Sequence, residues 1–184
     1  MKCFSYFQYN SMVILTYFFL SLLVFILKKI TANRSNKLFS SSRGSIFNPL
    51  TYIRMITHIL GHSSYNHFKN NFLYILLVGP MIEEKYGSIN LLKMIIITAL
   101  VTALINIIFS KKTILGASGI VYMLILLSSL VNLETRKIPV TLVLIFIFYI
   151  VTEIRDGLFK RDNISHLSHI IGAIIGFISG FYLF

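Results

Sequence analysis

Cysteine, acidic side chains and tryptophan are scarce in this chain of 184 residues: one cysteine, six Asp and Glu together, and no tryptophan. With Cys3 alone, an internal disulfide and a cysteine-based metal site are both excluded. Six acidic residues against 17 Lys and Arg leave a net charge of +11. In a soluble protein that excess would suggest nucleic acid. Here the basic residues fall mainly between apolar blocks, and no aromatic-basic module of a nucleic-acid binder is present. Membrane lipids with anionic headgroups are therefore their expected partners, and nucleic acid is not. No small-x-small cleavage site follows the first apolar run, and Lys28 and Lys29 come after it, so it is not read as a removed signal peptide. Nor do two halves of the chain carry matching interrupted spans, as a transporter would need.

What the chain has in abundance is apolar residues, 56% of the total, with a mean hydropathy of +0.80. They come in long blocks and not in amphipathic stripes, so they read as membrane spans of roughly 20 residues each. The blocks predict an all-α membrane protein, a single domain over 1–184. Its spans fall at about 11–27, 65–82, 89–109, 115–133, 139–154 and 166–184. The first loop, 31–54, is long, basic and rich in Ser and Asn, with Phe47, Leu50, Tyr52 and Ile53 giving its second half an interfacial character. Residues 155–163 read as a mixed-charge loop.

Polar residues inside the apolar blocks are few and therefore informative. Ser118 lies between Gly116 and Gly119 at the head of the fourth block. A lone membrane serine ordinarily bonds back to its own helix. Flanking glycines instead leave the backbone uncovered, so another backbone or a substrate can approach. His67 and Asn71 are four apart and share a helix face, although polar residues near a helix end are also ordinary in the headgroup region. His169 shares a face with Gly172, Gly176 and Gly180, whose default meaning is a packing seam. An imidazole inside a bundle is a functional hypothesis. If the spans alternate, the second, fourth and sixth start from one side, so these polar groups meet at similar depth. A serine, a histidine and amide or imidazole donors are the parts of acyl transfer. His58 and His62 have a spacing zinc can use, but no H-E-x-x-H and no third ligand accompany them, so no metal or cofactor is expected.

In order and spacing these motifs resemble those of the rhomboid intramembrane serine proteases, over nearly all of 54–184. The family's H-x-x-x-N is similar to His67 and Asn71, with His58 and His62 upstream. Its acidic helix end followed by glycine is similar to Glu83 and Gly87. Its G-x-S-G is similar to Gly116-Ala117-Ser118-Gly119, with Tyr122 four residues on. Its last-helix pattern is similar to His169, Gly172 and Gly176. The resemblance implies a six-span rhomboid-like bundle with Ser118 as nucleophile and His169 as general base and later acid. It also implies oxyanion donation by the Ser118 N–H, His67 and Asn71, with Tyr122 packed on the imidazole. Single-span membrane proteins would be the substrates, and a bacterial inner membrane the location.

The chain departs from the family where bacterial members carry a Trp-Arg pair in the first loop, since it has no tryptophan. His166, one turn before His169, competes for the role of base; the glycine three residues after His169 favours the latter. No carboxylate is expected to orient His169, because Asp162 reads as loop and Glu153 as the end of another helix. The expected site is therefore a Ser–His dyad. The alternative is a non-catalytic rhomboid-like protein that binds client transmembrane helices. Such a protein would be expected to lack the serine or the histidine. Orientation is contested: Lys28, Lys29, Arg34, Lys37 and Arg43 lie on the active-site side with most other loop cations, which points to the cytoplasm. The resemblance implies an outward-facing site.

Overall fold

The computed structural model describes residues 8–45, 47–110, 112–131, 138–159 and 165–182. Among these the chain is all-α, with α1 Met12–Ile30, α2 Pro49–Thr57, α3 Tyr65–Tyr86, α4 Ser88–Phe109, α5 Ser118–Leu130, α6 Val140–Ile145, α7 Thr152–Phe159 and α8 His166–Tyr182. A π-helical stretch, Phe146–Val151, joins α6 to α7. Short 3-10 turns lie at Arg34–Lys37 and His58–Leu60. Among the described residues two helices, α1 and α4, are long and apolar enough to cross a membrane; Ser118–Leu130 and His166–Phe181 are apolar but shorter.

Several expected boundaries move. The fourth block becomes helical only at Ser118 and not at Leu115, which leaves the serine at the helix start. The helix expected to end at Ile154 continues to Phe159, so Arg155 to Phe159 are helical and not loop. The third element runs past Ile82 to Tyr86. Within the long first loop, Asn48 caps α2 by accepting from the Leu50 N–H at 3.0 Å, with Pro49 at the first helical position. Phe47, Tyr52 and Ile53 stay exposed on it. Cys3 and Asp162 lie outside the described residues.

α5 is the centre of the bundle. It is apolar nearly all round, which suits a helix covered on every side, and it packs against α3, α4, α6 and α8. Ile120, Met123, Leu124 and Leu127 are fully buried there. Its contact with α8 is the most extensive and is built on glycine. A Cβ at Gly172 would lie 2.0 Å from the Gly119 carbonyl oxygen, and one at Gly176 would lie 2.4 Å from the Met123 carbonyl oxygen. Only residues without a side chain allow two backbones this close. The outer faces of the long helices remain apolar, with Phe19, Leu23, Leu77, Leu104 and Ile108 exposed. That is the surface hydrocarbon requires and water penalises.

Glu83 ties the first helix to this core. From the end of α3 its buried carboxylate accepts the Val13 N–H at 2.9 Å, the Ile14 N–H at 3.1 Å and the Ser88 hydroxyl at 2.6 Å. The two N–H groups are orphan donors of the first turn of α1, which a membrane-buried helix start cannot leave to water, and the Ser88 hydroxyl ties in the start of α4. Gly87, at φ +81°, ends α3 and starts α4 with no loop between them.

Candidate active site

The backbone leading into Ser118 is held from several directions. Ser41 and Ile114 exchange both N–H···O bonds at 2.8 Å, which fastens the first loop to this segment. The Gly116 N–H donates to the His58 carbonyl at 2.9 Å. Gly116 adopts φ +122°, a conformation that favours glycine, and a Cβ there would fall 2.7 Å from Nε2 of His67 and 3.7 Å from Nδ2 of Asn71. The glycine is thus required twice, by the turn and by the imidazole lying against it. Ser118 follows as the first residue of α5. Its N–H belongs to the first turn, where backbone donors have no intrahelical acceptor and the helix dipole favours negative charge.

Two side chains of α3 stand beside this turn. Ser64 caps α3, accepting the His67 N–H at 3.1 Å. The Ser63 hydroxyl lies 3.0 Å from Nδ1 of His67. If the hydroxyl donates to Nδ1, the ring proton is on Nε2, the nitrogen next to Gly116. Asn71 is buried, and its Nδ2 has no hydrogen-bond partner. A buried amide without a partner costs free energy, so such a group calls for an explanation.

On α8, His169 is 8% exposed and its ring stacks on Tyr122 of α5, centroids 4.4 Å apart and planes 8° from parallel. Ser118, His169, His67, Asn71, Gly116, Gly119 and Tyr122 all line one open cavity of about 720 Å³. Gly172 is not in its lining; it acts through the seam described above.

The expectation that no carboxylate reaches His169 is overturned. Glu153 Oε2 lies 2.9 Å from Nδ1 of His169, an ion-pair separation whose direction is off the hydrogen-bond line. The same oxygen is 2.6 Å from Nδ1 of His166, and Oε1 accepts the Tyr122 hydroxyl at 2.5 Å. The fifth block is not a regular helix that ends near Glu153: it contains a π-helical stretch and runs on to Phe159. The signal was present: Glu153 is an acid at the end of an apolar block, where ionisable groups usually have a task.

Glu153, His166 and His169 are also the one set of three donors among the described residues close enough to share a metal. Their atoms touch directly, however. Around zinc, ligand bonds of about 2.0–2.1 Å place tetrahedral donors roughly 3.3 Å apart, which the 2.6 Å contact does not allow. As it stands the cluster is a hydrogen-bonded network. His58 and His62 form no such set. Nδ1 of His58 lies 3.1 Å from the Met55 carbonyl, and Nδ1 of His62 lies 3.2 Å from the Leu60 carbonyl. His62 also packs edge-on against the rings of His67 and Phe68. Burial pushes His58 down to about 4 and His62 down to about 3, so both are neutral structural groups at pH 7.

A family model described as a Rhomboid domain matches residues 49–184. "Rhomboid protease GlpG" of Haemophilus influenzae is 28% identical over 131 residues, covering 70% of this chain and 68% of that protein. "Rhomboid-like protein 11, chloroplastic" of Arabidopsis thaliana is 25% identical over 140 residues, 68% of this chain and 50% of the relative. "Rhomboid protease GluP" of Bacillus subtilis is 28% identical over 169 residues, 88% of this chain but 33% of the relative. The chain thus spans about two thirds, half and one third of these relatives.

Proposed function

The chain belongs to the rhomboid family, and from that premise we propose that it is an intramembrane serine endopeptidase acting on single-span membrane proteins. The family and the two long apolar helices make it an integral membrane protein. Six spans and a bacterial inner membrane are the proposed arrangement. Two relatives carry chloroplast or mitochondrial names, so the compartment is tested separately from the activity.

Ser118 is proposed as nucleophile and His169 as general base. The Ser118 Oγ attacks the scissile carbonyl carbon while its proton passes to Nε2 of His169. The carbonyl oxygen becomes an oxyanion, which accepts from the Ser118 N–H, His67 and the Asn71 amide. Collapse breaks the C–N bond, and the imidazolium gives its proton to the leaving amine. Water then attacks the acyl-enzyme, releases the carboxylic acid and returns a proton to Oγ. The cavity supplies that water, which the bilayer does not. Tyr122 holds the imidazole plane by stacking.

The observation that carries this reading is Asn71. Its Nδ2 is a buried donor with no partner beside the turn that carries Ser118. A site preorganised for charge that exists only in the transition state leaves such a donor waiting. The test is cleavage of a single-span model substrate by the purified chain in detergent and in vesicles. Ser118→Ala and His169→Ala are expected to be inactive while still folded. Cleavage by Ser118→Ala at the wild-type rate would discard the assignment. Substrate binding without cleavage by the wild-type chain would favour the non-catalytic client-binding alternative.

A further inference from the structure

We infer that Glu153 is a positioning residue which turns the expected Ser–His dyad into a three-membered arrangement, holding His169 by Nδ1. This rests on the reading of His169 as the base. For Nε2 to accept the Ser118 proton, the ring must carry its own proton on Nδ1. That nitrogen is the one 2.9 Å from Oε2 of Glu153. A carboxylate there selects the required tautomer, fixes the ring about its axis and stabilises the imidazolium that forms, while itself staying ionised. The contact is not yet aligned as a hydrogen bond. Catalytic contacts of this kind are often loose without substrate and tighten on binding.

The carboxylate is itself immobilised. Oε1 takes the Tyr122 hydroxyl at 2.5 Å and Oε2 takes Nδ1 of His166 at 2.6 Å. Tyr122 therefore acts on His169 twice. Its ring lies flat on the imidazole, and its hydroxyl holds the group that holds Nδ1. His166 gains a place in the same network: it anchors Glu153 and does not replace His169. Such a network belongs where charge is worth its desolvation. A carboxylate in apolar surroundings is tolerated when both oxygens are paired.

The backbone explains why Glu153 faces the site. The turn before it, Phe146–Val151, is π-helical. A π-turn inserts about one extra residue, which rotates everything downstream by about 100° relative to a regular helix. Glu153 is the second residue after that turn. In an uninterrupted α-helix the same side chain would point to another face.

The experiment compares Glu153→Gln, Glu153→Asp and Tyr122→Phe with the wild-type chain. It measures kcat, KM and the pH dependence of kcat for a single-span substrate, and the rate at which a fluorophosphonate labels Ser118. Glu153→Gln is expected to lower kcat by about 10²- to 10⁴-fold with KM nearly unchanged, by analogy with removal of the orienting acid elsewhere. Loss of the negative charge also makes the imidazole easier to deprotonate, so the acid limb of the kcat profile moves to lower pH. Glu153→Asp should recover part of the rate and keep the limb near its wild-type position. Tyr122→Phe keeps the stacked ring and the Glu153 charge and loses only the hydroxyl that anchors the carboxylate; it should lower kcat severalfold and leave the limb without the shift to lower pH expected for Glu153→Gln. It also serves if Glu153→Gln fails to fold. Wild-type kcat with an unmoved acid limb in Glu153→Gln, or wild-type kcat in Tyr122→Phe if only that variant folds, would overturn the positioning role and leave the protease reading intact. Absence of both cleavage and labelling in the wild-type chain would remove the protease reading and this inference with it.

Discussion

A Cβ placed on Gly172 would sit 2.0 Å from the carbonyl oxygen of Gly119, 2.8 Å from its carbonyl carbon and 3.1 Å from its Cα. The helix bearing His169 and the helix bearing Ser118 thus touch backbone to backbone, one residue after the serine and one turn after the histidine. Two short side chains that must exchange a proton over about 2.6–3.2 Å need such an approach.

Gly172→Val is therefore expected to lose most activity although it touches no reacting atom, because a displacement of about 1 Å can cost on the order of 10²-fold in rate. The clash is with backbone, which cannot swing aside. Ile174→Val, at a 52% exposed position on the outer face, is expected to be nearly silent. Turnover by the two variants decides the matter; normal turnover in Gly172→Val would mean the seam does not set the distance.

His169→Ala should be inactive, whereas His166→Ala should retain substantial activity, lowered because Glu153 loses one of its anchors. Measured kcat values in the reverse order would transfer the role of base to His166.

Glu83→Ala should destabilise the fold by about 2–4 kcal/mol, since it strands the Val13 N–H, the Ile14 N–H and the Ser88 hydroxyl away from water. Activity per folded molecule should be unchanged. Denaturant titration of the purified protein reads the first, and active-site titration the second. Wild-type stability would show that α1 is held otherwise.

Stability should fall as pH is lowered from 7 to 5. Folded His58 and His62 titrate near 4 and 3, below their ordinary value of 6.5. In that interval the unfolded chain takes up protons that the folded chain refuses, so stability rises with pH. The contribution is full above about pH 6.5 and declines until the folded values are reached. Each histidine is expected to account for about 2 kcal/mol between pH 7 and 5. Melting temperatures of the wild-type chain and of His58→Asn across this range test it. A profile unchanged by the substitution would mean that His58 is not the group responsible.

Much of this was legible in the residues themselves. Long apolar blocks leave helices as the economical way to satisfy backbone polar groups in hydrocarbon, which fixes the all-α class. Polar residues that persist in such blocks are costly, which is why Ser118, His67, Asn71 and His169 stood out. The spacing of Gly172, Gly176 and Gly180 marks a close helical seam without naming its partner. Facing, by contrast, was decided only in three dimensions. Glu153 reaches His169 because one π-turn adds a residue to the helix, and composition carries no trace of that insertion. Position 116 admits only glycine because its φ is +122° and because His67 of α3 lies where a Cβ would go. Ser41 pins Ile114 across more than 70 residues of chain. Local periodicity describes one helix at a time. Which side chains meet across helices depends on rotations and contacts between elements distant in sequence, and those exist only once the bundle has packed.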